Sequence, residues 1–323
     1  MTEAHRIVFL DRDSLIANVR KPSFAHEWTD YPATRAADTV QRLRDARATI
    51  AISNKVALSA DHMAQLPDLK MIAMAATGTN MIDVAAAVQR GIVVSNIRNY
   101  AVHTLPEHTF ALILALRRQL VAYRADIEAG LWEKSQNFCL FGHPVTDLAG
   151  SRLGLYGYGA LGQATARIAR AFGMEVIVHT RSPLPDAAAD GVREASFDEV
   201  LETSDVISLH LPLNDKTRNM ISAKELIRMK RTALLINTAR GGLVDETALA
   251  DALRAGVIGG AGFDVLTREP PPEDNVLLKL RLPNFLLTPH SAWASTQAMQ
   301  TLADQLIDNI EAWAAGTPRN VVS

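Results

Sequence analysis

Six residues, Gly157-Tyr158-Gly159-Ala160-Leu161-Gly162, stand between an apolar stretch, Arg152 to Tyr156, and an alanine-rich run with helical spacing, Gln163 to Phe172. Three glycines at these intervals, entered from a strand and left by a helix, confine the backbone to few paths. Gly157 permits the tight turn out of the strand, Gly159 lets backbone approach a pyrophosphate, and Gly162 lets the helix pack closely against the sheet. The helix that starts near Ala160 turns unpaired amides and its positive dipole end toward phosphate charge. The segment predicts a dinucleotide-binding unit and, through it, a redox enzyme.

The rest of the chain is read outward from that unit. Short β-branched runs at Ile7 to Leu10, Thr49 to Ser53, Leu69 to Ala75 and Ile92 to Ser95 predict buried parallel strands. Helical patterns at Ala36 to Ala46, Ser59 to Gln65 and Asp83 to Arg90 lie between them, the last closed by Gly91. An apolar helical segment from Thr104 through Ala122, with Pro106 in its first turn, bridges into a second domain. There strands are expected at Arg152 to Tyr156, Glu175 to Thr180, Val206 to Leu211, Ala233 to Asn237, Gly260 to Val265 and Phe285 to Leu287. Turn-rich stretches at Thr180 to Asp190 and Thr267 to Asp274 interrupt them. The pattern is α/β, with doubly wound parallel sheets, and 323 residues exceed the roughly 100–200 of one domain.

Charge and cysteine content exclude other classes. A net charge of −2 without a long Lys/Arg run leaves no footprint for nucleic acid or an anionic membrane. Cys139 is the one cysteine, so no internal disulfide or thiolate cluster can form, and a reducing, cytoplasmic location fits best. The N-terminal apolar run is too brief for a signal segment, and Phe110 to Leu116 falls far short of the ~20 residues that span a bilayer.

Three ionisable residues follow separate strands of the second domain: Arg240, Glu269 and His290. The carboxyl ends of strands are where open α/β sheets bind ligands. Arginine holds a carboxylate or carbonyl with a charged planar fork, and histidine can give or take a proton near neutral pH. A neighbouring glutamate would favour the imidazolium and so favour reduction of a 2-keto acid. The competing readings are a solvated loop arginine, an exposed glutamate before three prolines, and a histidine that caps the following helix.

Ordered motifs over nearly the whole chain resemble the D-isomer-specific 2-hydroxyacid dehydrogenases, and within them the glycerate dehydrogenase and hydroxypyruvate reductase group. They are 76–83 (ATGTNMID), 105–109 (LPEHT), the glycine loop, 210–213 (HLPL) with Thr217, 237–242 (NTARGG), 263–265 (FDV) with Glu269-Pro270, and 288–293 (TPHSAW). The resemblance implies two Rossmann-like domains: a flavodoxin-like substrate domain, 1–103 and 292–323, and a dinucleotide-binding domain, 104–291. It implies Arg240 for substrate, His290 as acid/base paired with Glu269, and the backbone at Thr77, Gly78 and Thr79 for the substrate carboxylate, closing the site from the opposite side. Cofactor contacts are implied at Thr109, Gly157, Tyr158, Gly159, Ala160, Leu161, Gly162, Thr180, Arg181, Ser182, His210, Leu211, Pro212, Thr217, Thr238, Ala239, Arg240, Asp264, His290 and Ala292. The chain should return to the first domain through a helix at about Thr296 to Ala314, with hinges near Asn99 to Thr104 and Ser291 to Ser295.

Two departures refine the expectation. Where an acidic residue normally meets the adenosine ribose, this chain reads Val178-His179-Thr180-Arg181-Ser182. Thr180 removes a charge that would repel a 2′-phosphate, and Arg181 and Ser182 could bind one, so NADP(H) is expected to be favoured, with NAD(H) possible. Asn80 stands where the family commonly has Asp. No Cys/His spacing suggests a metal, and His103, His108, His143 and His210 are read as structural or cofactor-adjacent. Trp132, Phe138, Cys139 and Leu140 resemble a segment that in relatives lies near the subunit interface and active site. That favours hydroxypyruvate and glyoxylate and a homodimer; simple core packing is the alternative for these residues. A cofactor-sensing corepressor or scaffold, and dehydrogenases for D-lactate or 3-phosphoglycerate, are the rival readings. The last is disfavoured because the chain ends at Ser323 without room for an appended regulatory domain.

Overall fold

The computed structural model describes residues 4–181, 183–184 and 191–322. The chain divides into two compact units, one of residues 1–100 and 294–323 and the other of residues 101–293.

In the first unit five parallel strands, β1 (His5–Phe9), β2 (His26–Asp30), β3 (Ile50–Ser53), β4 (Met71–Met74) and β5 (Val93–Ser95), run in the order β2-β1-β3-β4-β5. This is the flavodoxin-like order. β3 and β4 are buried throughout, so they read as unbroken apolar runs. β2 was not among the expected strands. It is an edge strand of sequence His-Glu-Trp-Thr-Asp with no fully buried residue, which leaves no apolar run to see. The helix Thr296–Ala314 joins this unit and buries Leu302, Leu306, Ile307 and Ile310 at helical spacing.

The second unit holds seven parallel strands: β6 (Arg152–Tyr156), β7 (Glu175–His179), β8 (Arg193–Glu194), β9 (Val206–Leu209), β10 (Leu234–Asn237), β11 (Gly260–Phe263) and β12 (Phe285–Leu287). Their order is β12-β11-β10-β9-β6-β7-β8. The chain runs outward from β6 to β8 and then returns to β9 on the other side of β6, which creates a topological switch point between β6 and β9. Six strands were expected; the seventh, β8, has two exposed residues at the sheet edge, too little for any pattern.

Alternate residues of this sheet feed two cores. Tyr156, Ile177, Ile207, Leu209 and Leu235 belong to one, and Leu153, Leu155, Val176, Val178, Val206 and Ile236 to the other. Burial on both faces removes the polar alternation that marks a one-sided sheet.

One expectation and one alternative reading are corrected. The helical segment from Thr104 does not run through Ala122: it stops at Arg117, Gln119 takes a left-handed conformation (φ 56°), and a second helix runs Leu120–Glu128. Arg117 anchors the break, donating from Nη1 to Thr146 Oγ1 and from Nη2 to the Asp205 carbonyl. Nor are Trp132, Phe138, Cys139 and Leu140 core residues. Trp132 Nε1 donates to the Phe138 carbonyl at 3.0 Å, and Phe138 and Phe141 are 92% and 85% exposed.

Gly154, in the middle of β6, shows how tightly helix and sheet meet. A Cβ there would lie 2.2 Å from Ser204 Oγ and 2.7 Å from Val200 Cγ1, and both residues are fully buried. Gly154→Ala is therefore expected to destabilise the protein by about 1–3 kcal/mol, the usual cost of overpacking. Thermal unfolding checks this; an unchanged Tm would contradict the packing.

Candidate active site

The glycine loop lies at the switch point. Gly157 has φ 96°, and a Cβ on it would stand 2.4 Å from the His210 carbonyl oxygen, at the end of β9. A Cβ on Gly162 would stand 2.4 Å from the Gly157 carbonyl oxygen, so this glycine accommodates the loop's own backbone as much as the sheet. Gly159 differs: a Cβ there would meet nothing within 4 Å. It precedes the helix Ala160–Ala171, whose first amides have no intrahelical acceptor. Two glycines thus serve the chain's own closure, and the middle one leaves open space beside a helix N-terminus, which fits a pyrophosphate.

The other expected cofactor positions fall along the same edge of the sheet. His210 donates its backbone N–H to the Tyr156 carbonyl, and its Nε2 lies 3.0 Å from Ser208 Oγ. Leu211 and Pro212 follow, with Thr217 Oγ1 donating to the Pro212 carbonyl at 2.8 Å. Thr109, on the helix Thr104–Arg117, is fully buried and shares a hydrogen bond of 3.1 Å with Thr238 Oγ1. Thr180 is partly buried and Arg181 exposed, just past the end of β7, where the residue before them, His179, is no acid. Ser182 lies outside the described residues.

Arg240 is set by a turn that Asn237 ties together. Asn237 Nδ2 donates to the Arg240 carbonyl at 2.9 Å, and its Oδ1 accepts the Ala239 N–H at 3.1 Å. Arg240 is extended, and its Nη1 donates to the Ala239 carbonyl at 2.6 Å. The following Gly241 has no room for a side chain: a Cβ would lie 2.0 Å from the Leu266 carbonyl carbon and 2.3 Å from the Thr267 nitrogen. The Arg240 turn is thereby seated directly on the loop that carries Glu269.

That loop has its own ties. Glu269 Oε1 accepts the Leu266 N–H at 2.9 Å, and Oε2 lies 2.5 Å from His290 Nδ1. Glu246 accepts the Thr267 N–H at 2.5 Å and Asn275 Nδ2 at 2.7 Å. Sequence reasoning missed Glu246 and Asn237. Glu246 follows the N-cap Asp245 and reads as an ordinary acidic first-turn residue, so nothing in the pattern singles it out.

His290 itself has φ 53°, a conformation that costs a non-glycine residue about 1–3 kcal/mol. Asp264, 1% exposed, holds it there. The His290 N–H donates to the Asp264 carbonyl at 2.8 Å. Oδ1 accepts the Ser291 N–H and Oδ2 the Ala292 N–H, each at 2.9 Å. Thr288 Oγ1 also donates to Oδ1 and lies 2.9 Å from His108 Nε2. Asp264 was expected as a cofactor residue; its carboxylate bonds Thr288, Ser291 and Ala292 around His290, with His108 Nε2 3.6 Å from Oδ1, and its N–H donates to the Asn237 carbonyl at 3.0 Å. Ser295, not His290, caps the helix Thr296–Ala314, which removes the capping reading.

The structure therefore brings Arg240, Glu269 and His290 to consecutive loops beyond β10, β11 and β12. In the first unit, Thr77 follows β4, donates Oγ1 to the Ile97 carbonyl at 2.7 Å and accepts Asn96 Nδ2 at 2.7 Å.

Desolvation lowers the pKa of His210 from 6.5 to about 4. Between those values the unfolded chain binds a proton that the native protein does not, so this group's contribution to stability falls as pH drops from about 6.5 toward 4. Tm is expected to fall by a few degrees between pH 7 and pH 5, with a shallower slope in His210→Gln. Equal slopes in both proteins would refute the assignment.

A family model described as "D-isomer specific 2-hydroxyacid dehydrogenase, NAD binding domain" matches residues 110–292. The chain is 53% identical to the glycerate dehydrogenase of Methylorubrum extorquens, over 98% of each chain. It is 33% identical to the hydroxypyruvate reductase of Blautia hydrogenotrophica, over 88% of each. Among solved structures, an acyclic imino acid reductase in complex with NADPH and D-Arg matches with a TM-score of 0.85 and 30% identity, over 98% of this chain and all of the other. With the open glycine loop at the switch point, these matches establish that the chain belongs to the D-isomer specific 2-hydroxyacid dehydrogenases and uses a nicotinamide cofactor.

Proposed function

We propose that this dehydrogenase reduces hydroxypyruvate and glyoxylate to D-glycerate and glycolate, reversibly, and prefers NADPH to NADH. The observation that carries the chemical part is the His290–Glu269 pair. With the Nδ1 proton held by the carboxylate, Nε2 is the nitrogen left to exchange a proton with substrate.

When bound, the nicotinamide supplies the hydride that reduces the carbonyl carbon. His290 Nε2 gives its proton to the carbonyl oxygen and takes it back in the reverse direction, while Glu269, 2.5 Å from Nδ1, fixes the ring. Arg240 supplies a permanent positive charge and a planar fork of donors for the carboxylate and carbonyl. The amides around Thr77, Gly78 and Thr79 take the substrate carboxylate. Leu211, Pro212, Thr217, Thr238, Ala239 and Ala292 line the cofactor site, with the amides of Ala160, Leu161 and Gly162 at the pyrophosphate.

His179, Thr180 and Arg181 at the end of β7 include no acid to meet the ribose hydroxyls, and this supports NADPH preference. The exposed rings of Phe138 and Phe141 support a homodimer, and the lone Cys139 supports a reducing cytoplasm. The names of the glycerate dehydrogenase and hydroxypyruvate reductase relatives support the small substrates.

Initial rates with NADPH and NADH against hydroxypyruvate, glyoxylate, pyruvate and phosphohydroxypyruvate test the proposal. Hydroxypyruvate with NADPH is expected to give the highest kcat/KM. His290→Ala should lower kcat by a factor on the order of 10²–10⁴, the usual worth of a positioned acid/base. Loss of one charge-assisted hydrogen bond in Arg181→Ala should raise the KM for NADPH by roughly tenfold and leave that for NADH unchanged. Faster turnover with NADH would overturn the cofactor assignment, and preference for pyruvate or phosphohydroxypyruvate the substrate assignment.

A further inference from the structure

We infer that Asn96 is a positioning residue that aims the Gly78 amide at the substrate carboxylate; this rests on the reading of residues 77–79 as the carboxylate site. The β4–β5 ladder continues past both strands, with the Ile97 N–H donating to the Ala76 carbonyl at 3.0 Å. Beyond that bond two further ones cross the gap: Thr77 Oγ1 donates to the Ile97 carbonyl and Asn96 Nδ2 to the Thr77 carbonyl, both at 2.7 Å.

The second bond sets a direction. In a planar trans peptide the N–H of residue 78 points opposite to the carbonyl of residue 77. Holding the Thr77 oxygen therefore fixes the line along which the Gly78 N–H points, at a residue whose backbone is otherwise free to swing. The Gly78 N–H has no acceptor among the described residues. A donor on the carbonyl side also polarises the amide and strengthens its N–H toward an anion.

The orientation of the Asn96 side chain is chemically forced. Its Oδ1 faces Arg98 Nε at 3.3 Å, and a guanidinium only donates, so the amide nitrogen must face Thr77. The backbone around it is gripped from the C-terminal end of the chain. The Asn96 carbonyl accepts Asn309 Nδ2 at 3.0 Å, the Arg98 N–H donates to Gln305 Oε1 at 3.1 Å while its carbonyl accepts Gln305 Nε2 at 2.9 Å, and Arg98 Nη2 donates to the Val321 carbonyl. The helix Thr296–Ala314 thus supports the carboxylate loop through Asn96.

The test compares Asn96→Ala, Asn96→Asp and Gly78→Pro, the last of which deletes the N–H itself. The readouts are Ki for oxalate, a non-reacting dicarboxylate, together with KM and kcat for hydroxypyruvate and Tm. In Asn96→Ala the Ki and KM should rise about tenfold, the effect of one misaligned hydrogen bond to a charged group, with kcat within a few-fold of the parent. Asn96→Asp, which sets oxygen against oxygen, should raise them further and serves if the alanine variant does not fold. Gly78→Pro should raise both as well. A rise in Gly78→Pro with unchanged Ki in folded Asn96 variants, even with a lower Tm, would overturn the inference and leave the carboxylate site standing. No rise in any variant would overturn both.

Discussion

The carboxylate of Asp264 is the interaction on which the candidate site depends. It is buried at the end of β11, yet both of its oxygens and its own carbonyl are spent on the segment that follows β12. A left-handed histidine is unfavourable by itself. Three backbone amides in succession, those of His290, Ser291 and Ala292, are bound to one residue, and this over-determines the conformation. The ring of His290 is then held from the other side by Glu269, whose loop is pinned by Glu246 and by the seat of Gly241. Each tie is local and modest. Together they bring loops from three adjacent strands into one arrangement, which is what positioning a proton donor requires.

Sheet topology supplies the rest. The reversal of strand order between β6 and β9 opens a crevice where the glycine loop emerges, and the close approach of Gly157 to His210 belongs to that crevice. The candidate acid/base residues emerge from the same carboxyl edge, two and more strands away. A parallel sheet thus places a phosphate-binding helix and a proton-transfer pair on one edge without any residue being unusual in itself.

The glycine loop, the strands around it and the three ionisable residues were legible in the sequence because each rests on a local pattern: apolar runs, glycines that permit special backbone geometry, charged residues just past strand ends. What stayed hidden depends on partners distant in the chain. β2 and β8 are edge strands whose residues are polar, and only pairing defines them. The break at Gln119 has no glycine or proline beside it, and Arg117 is held there by Thr146 and Asp205. Glu246 and Asn96 act through backbone amides and carbonyls, which every residue carries, so no motif announces them, and Asp264 stood in the 263–265 motif only as an expected cofactor contact, not as the clamp on His290.

The most direct measurement is the single-turnover rate of NADPH oxidation by hydroxypyruvate in Asp264→Asn, at saturating concentrations of both. An asparagine would turn a donor toward one of the two amides, Ser291 or Ala292, that the carboxylate now accepts, releasing the segment that carries His290. The account predicts a rate lower by a factor on the order of 10², since misplacing a reacting group by about 1 Å costs that much, with Glu269 and His290 both still present. A rate equal to that of the parent would contradict it, because the histidine would then need no clamp.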